Sequence, residues 1–165
     1  MLTIRCSKLL LLISIAILCT LVSFNNLTDY ATNFEFVKHV LMMDTIFPNS
    51  SITYRSIDNI TLINLGYILI ISLETLNAAL CWAGAYKMLC AINSSAQIFN
   101  NSKRIAIAGL TSGFLTWQVG FMSVGGEWFG MWMSHSWNGI ESSFRFFITI
   151  IAVLIYISIK DDELA

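Results

Sequence analysis

Four polar side chains fall inside stretches that are otherwise apolar: Glu74, Asn77, Gln118 and Arg145. A charge in the middle of a membrane span costs at least ~2.5 to 3.5 kcal/mol unless it is paired or neutralised, so each of these residues asks for a reason. Glu74 asks most strongly. It lies thirteen residues before Lys87, roughly 20 Å of helix, which puts it near the centre of a span. Asn77 follows one turn later on the same face, and Gln118 on the next span is expected at similar depth. Two chemistries fit this group. A protonated or amide-bonded glutamate can hold two helices together, through bonds worth about 0.6 to 2 kcal/mol, or the carboxyl can take up and release a proton or cation. Arg145 needs an anion. Glu141 stands one turn before it in the favourable i, i+4 order; the alternative partner is Glu74, about 9 Å away in depth.

A second set lies near the span ends: His39, Asp44, Glu127, Trp128, Trp137, Asn138 and Glu141. His39 is roughly a turn from Asp44, a setting in which histidine is more often a hydrogen-bonded structural residue than a ligand. Together with His135 these side chains carry the donor types of a zinc or iron site. No HxxxH or ExxH step organises them, and no metal or other cofactor is expected. Asn138 and Glu141 have the spacing of a capping pair for the last helix. Trp128, Trp132 and Trp137 read as an interfacial aromatic belt, with a stacking site for a quinone or other ring cofactor as the second option.

The elements that must position these residues follow from composition. Of 165 residues 56% are apolar and 12% charged, with nine Lys and Arg against ten Asp and Glu. Soluble domains carry about 25% charge, so the expected solvent is lipid. A net charge of -1, without a basic block, excludes the electrostatic footprint of a nucleic-acid binder. About 20 uncharged residues are needed per helical span, and four stretches supply them: 9–28, 59–86, 105–126 and 140–159. The expected architecture is therefore all-α, one four-span membrane domain over 1–165 with a single substantial loop at 29–58. The first stretch follows Arg5 and Lys8 as a signal peptide would, but LVSFNNLTDY lacks a small-residue cleavage site, so an uncleaved anchor is expected.

Lys and Arg mark the side that stays in the cytoplasm. Arg5, Lys8, Lys87, Lys103, Arg104 and Lys160 fall on one side and Lys38 and Arg55 on the other, which predicts both termini inside. Cys6, Cys19, Cys81 and Cys90 contain no CxxC pair, and none is expected in an oxidising compartment. They read as small apolar fillers. In the loop, Thr32 and Glu35 have capping-box spacing, and Phe36, Val40, Met43 and Phe47 recur at helical steps. An amphipathic helix ending at Pro48 and lying on the outer membrane face or over the bundle mouth is expected, as a lid packed on the bundle or, alternatively, a partner-binding helix. Ala106, Gly109, Gly113 and Gly120 make the third span the expected packing centre and the surface for a membrane-protein partner or a second copy.

Two long strings carry a resemblance. One comprises Asn26, Thr28, Asp29 and Tyr30, then Phe36, Val37, His39, Val40, Leu41, Met43, Asp44, Thr45, Phe47 and Pro48. The other runs through Gly120, Phe121, Met122, Gly125, Gly126, Glu127, Trp128 and Phe129 to Trp137, Asn138, Gly139, Glu141, Phe144, Arg145 and Phe146. By these residues the chain resembles a bacterial family of predicted small integral membrane proteins, domain-of-unknown-function family 2165. The resemblance implies a four-span inner-membrane protein and no particular reaction. Met42 departs from the small polar residue expected there, and His135 falls at a variable position. The combined expectation is a non-enzymatic accessory subunit or helper of a larger membrane complex. The alternatives are a small ion or proton relay using Glu74, and a quinone- or metal-binding redox component.

Overall fold

The computed structural model describes residues 2–163; residues 1, 164 and 165, the extremes of the expected domain, lie outside the described residues. Its helices are α1 (Leu2–Thr28), α2 (Tyr30–Met42), α3 (Ile60–Cys90), α4 (Ala96–Ser102), α5 (Arg104–Leu115) and α6 (Ile140–Ser158), with a π-helical segment at Thr116–Trp128 and no strand among the described residues. Among the described residues four helical stretches are long and apolar enough to cross a membrane: α1, α3, the composite Ala96–Trp128, and α6. These match the four expected spans, with shifted ends. α1 begins at Leu2 and passes straight through Arg5 and Lys8. Both cations are buried, and their heads find carbonyl and carboxylate partners, so neither ends the helix. α3 starts where expected because the Asn59 carboxamide accepts from the backbone N–H groups of Thr61 and Leu62 at 2.9 and 3.2 Å, satisfying two of the donors that a helix start leaves free.

The small residues of the third span do bring backbones together, but the middle of the bundle belongs to α3, which lies between α1 and α5. A Cβ at Gly84 of α3 would stand 2.6 Å from the Ala106 backbone, and one at Gly109 would stand 2.9 Å from Leu80. Close approach of this kind substitutes in lipid for the hydrophobic drive that holds helices together in water. Gly109 and Gly113 are therefore covered by the chain's own α3 and α6, whereas Gly120 has nothing within 4 Å. Leu12, Ile15, Met88, Leu110, Ile150 and Ile157 fill the apolar layer. On the α1 side of α3, Ser23 pairs with Thr75 at 2.7 Å and the Trp82 indole donates to Thr20 at 3.0 Å.

After Leu115 the third span widens. Phe129 N–H donates to the carbonyl of Val124, five residues back, the i→i+5 pattern that is rare and frequent at functional sites. The wider turn rotates the side chains that follow away from their α-helical projection. Thr116, whose N–H still reaches the carbonyl of Ser112 in α-helical register, and Trp117 are buried, and Gln118 is only half-buried.

α2 forms a lid. Val40 and Met43 pack on Phe129 and Met131, and Val37 packs on Tyr67 and Ile71. Phe47 stays outside, edge-on to Trp132 at 5.8 Å. The expected capping box does not form, since α2 begins before Thr32 and has no side-chain cap. Nor does Pro48 end the helix. Met43 already terminates it in the left-handed conformation, φ 54°, a common helix-ending geometry that is unusual for a residue other than glycine.

At the opposite end, a buried ionic clamp joins the chain's extremities. Asp161 receives Lys8 Nζ at 2.7 Å and also pairs with Lys103. Asn100 both donates to the Asp161 carbonyl and accepts from its N–H. Arg5 lies over Phe99 and donates to the carbonyls of Ile92, Ser94 and Asp162. Cys19 and Cys81 are buried, Cys6 half-buried and Cys90 exposed, all as free thiols.

Candidate functional site

On α3, Tyr67, Glu74 and Asn77 recur at seven and three residues and so share a face; all three are buried. That face meets the end of α1 at Asn26. The Tyr67 hydroxyl donates to the Asn26 side-chain oxygen at 3.1 Å and to its backbone carbonyl at 3.2 Å. With its oxygen engaged, the amide turns Nδ2 toward Glu74 and donates to Oε2 at 2.7 Å. Glu74, 3% exposed, thus has one oxygen held by an oriented amide. The other has no protein partner among the described residues.

Above this pair lies a cavity of about 450 Å³. It reaches from the α2 end of the bundle, where Asn33, Asn138 and Ser142 contribute polar groups, down to Glu74. Trp117 forms much of one wall, stacked on Phe121 at 4.6 Å and tilted against Phe146 at 4.3 Å. Among the described residues no Lys, Arg or His lines this space, so the charge that governs it is that of Glu74.

Beneath Glu74 a void of about 10 Å³ touches Cys19, Asn77 and Trp117, about the room one water needs. Asn77 donates to Thr116 at 3.1 Å, while its own oxygen, also buried, has no partner among the described residues. The apolar layer of Leu12, Ile15 and Leu110 follows, then the Asp161 clamp. Access to Glu74 is therefore from the α2 end. A carboxylate so placed can accept a proton or a cation and is shielded from the far side.

A second hollow, an apolar groove of about 660 Å³, runs between α2, α3 and the π-helical segment past Leu69, Leu73, Val119 and Gly120. Phe36, Val37, Ile70 and Phe121 line both spaces.

The remaining expected residues are dispersed. Arg145 does not reach Glu74; it pairs with Glu141, and both side chains are mostly exposed, 73% and 80%. Gln118 lines neither space, and Thr116 takes the place beside Asn77. Asn138 accepts from Ile140 N–H at 3.1 Å one position ahead of the α6 N-cap, Gly139, and Glu141 turns to Arg145, so the expected capping pair does not form. His39 stacks on Trp137 at 4.6 Å, with Asp44 at 2.7 Å from Nδ1 and Glu35 at 3.6 Å from Nε2. This holds the lid to the α6 approach. Trp128 receives the Arg55 guanidinium over its ring at 4.5 Å. Glu127 and His135 are exposed, and no three His, Cys, Asp or Glu among the described residues stand together as a metal site would require. Sequence reasoning missed the roles of Asn26, Tyr67 and Trp117. The available signal was an uncharged one: Tyr67 lies seven residues before Glu74, and Asn26 is an amide at the end of the neighbouring span.

The family model described as predicted small integral membrane protein (DUF2165) matches residues 4–160, nearly the whole chain. No curated protein and no solved structure matches it.

Proposed function

As the chain belongs to this family of predicted small integral membrane proteins, we propose that it binds and passes on a proton or cation at Glu74, as a small relay or transport protein. The observation that carries the reading is the cavity that reaches Glu74 from one end of the bundle with no basic residue among its described lining residues. An intramembrane carboxyl is expensive, and here it is presented to an accessible space. Asn26 steadies the carboxylate and leaves one oxygen for the incoming group. We take both termini as cytoplasmic on the excess of Lys and Arg at the Asp161 end, and the membrane as a bacterial inner membrane on the family resemblance; the cavity then opens to the outside.

The test is flux in sealed vesicles. Purified protein reconstituted with an internal pH-sensitive dye should relax an imposed pH gradient faster than protein-free vesicles, and Glu74→Gln should remove that difference. Equal rates for the wild type and Glu74→Gln would overturn the reading.

A second reading, a non-enzymatic accessory subunit, is favoured by α6. It is the least buried of the four membrane-length helical stretches, and it turns Phe144, Ile148 and the Arg145–Glu141 pair outward. Stoichiometric co-purification of another membrane protein in mild detergent would support this; isolation as a lone active relay would count against it.

A further inference from the structure

We infer that the Glu74 cavity takes a lipophilic organic cation, an alkylammonium whose head lies against Glu74 and whose hydrocarbon follows the adjoining groove along the π-helical segment. This rests on the reading of Glu74 as a cation acceptor and adds the chemical class of the ligand.

Size is the first argument. A cavity of about 450 Å³ falls within the range of small-molecule pockets, about 300 to 1,000 Å³, and greatly exceeds the share of one water or bare ion. The donor set is the second. Hard metal cations take about six or more oxygens, yet beside Glu74 the Asn26 oxygen is engaged by Tyr67 and its nitrogen faces Glu74, while the polar groups of Asn33, Asn138 and Ser142 belong to the α2 end of the cavity. One carboxylate oxygen is a poor cage for sodium or calcium and an adequate counter-ion for an ammonium group. The aromatic wall is the third. Trp117 lies against Phe121 and Phe146, and all three line the cavity that holds the carboxylate; ring faces attract weakly hydrated organic cations through cation–π interaction. Anions are disfavoured by Glu74 itself.

The tail follows from the second hollow. The groove is lined almost wholly by apolar side chains, and Phe36, Val37, Ile70 and Phe121 wall both spaces. Gly120, with nothing within 4 Å, leaves its floor open. The four shared side chains are the common wall of the two spaces, so the tail of a ligand charged at one end and hydrocarbon at the other would pass between them to reach the groove; a small polar cation would use only the first space.

The test is calorimetric titration of the full chain in phosphatidylcholine nanodiscs, with empty discs subtracted. The probes are octyltrimethylammonium, tetramethylammonium and octanoate. Octyltrimethylammonium should bind at least tenfold more tightly than tetramethylammonium, and octanoate should not bind. Glu74→Gln should weaken octyltrimethylammonium at least tenfold. Gly120→Leu, which adds a side chain into open groove, should abolish the octyl advantage and leave tetramethylammonium unchanged. Binding of octanoate as tight as that of octyltrimethylammonium, or an octyl advantage unaffected by Gly120→Leu, would overturn the inference. If Glu74→Gln does not fold, the comparison of probe charges on the wild type and the Gly120→Leu result still decide. Loss of flux in Glu74→Gln vesicles without binding of octyltrimethylammonium to the wild type would leave the relay standing and remove this ligand class. Absence of both flux and binding would remove both.

Discussion

Asn26 and Glu74 stand 48 residues apart in sequence and 2.7 Å apart in space, joining the end of α1 to the middle of α3. The amide is oriented by Tyr67, so the three residues act as one unit. Asn26→Leu should leave the Tyr67 hydroxyl with the backbone carbonyl of residue 26 alone and the Glu74 carboxylate without its amide partner, and an unsatisfied buried polar group costs about 1 to 3 kcal/mol. Glu74→Gln keeps both shape and an acceptor for Asn26. Thermal unfolding in mild detergent should therefore show a clear loss for Asn26→Leu and a smaller change for Glu74→Gln, although flux responds in the opposite order. A larger stability loss in Glu74→Gln would mean that the carboxylate serves the fold first.

Arg145 and Glu74 should behave independently. Arg145 pairs with Glu141 on an exposed face, and exposed i, i+4 pairs contribute only about 0.3 to 0.5 kcal/mol. Arg145→Leu should thus change stability little, and its combination with Glu74→Leu should be additive within about 0.5 kcal/mol. A double-mutant cycle on unfolding midpoints checks this. Partial rescue in the double variant would instead require a direct pairing that the geometry does not contain.

The four spans were legible because hydropathy over about 20 residues survives errors of a few positions, and Glu74 was legible because a charge inside such a run is rare. The partners of Glu74 were harder to read. Asn26 and Tyr67 carry no charge, and Gln118 lies only two residues past the Thr116 that bonds Asn77 but presents a different face, which depth along the span does not reveal. Asp161 shows a different obstacle. It lies 153 residues from Lys8, and no local pattern announces that a tail carboxylate will fold back under the bundle. Where neighbours in space are neighbours in sequence, as for Arg145 and Glu141, the spacing was enough.

Gly84 and Gly120 should respond oppositely to the same substitution. Gly84→Ala would place a methyl group 2.6 Å from the Ala106 backbone, which cannot yield as a flexible side chain can. Overpacking of this kind costs about 1 to 3 kcal/mol. Gly120→Ala meets nothing within 4 Å and removes unfolded-chain entropy, so it should be neutral or stabilising by up to about 1 kcal/mol. Parallel thermal unfolding of the two variants separates packing glycines from the groove glycine. A loss at Gly120 as large as that at Gly84 would show that the groove is filled in the membrane.

Asp161 sets an acid limit on stability. Burial alone would raise its carboxyl, but hydrogen bonds from Lys103 and Lys8, together with their positive charge, outweigh that and hold it below the usual carboxylate range. A carboxyl with a depressed folded-state value contributes its full stabilisation above its unfolded value, near pH 3.9. That contribution is lost as pH falls through the lower folded value, because the unfolded chain takes up the proton first. Asp161→Asn should cost about 3 to 5 kcal/mol at neutral pH, since it leaves Lys8 and Lys103 buried without their counter-ion. The gap between the wild type and Asp161→Asn should stay constant from pH 7 to about pH 4 and shrink below it. Unfolding midpoints of both proteins measured across that range give the result directly; a gap that closes already near pH 6 would place the carboxyl above its usual value and the clamp in a neutral state.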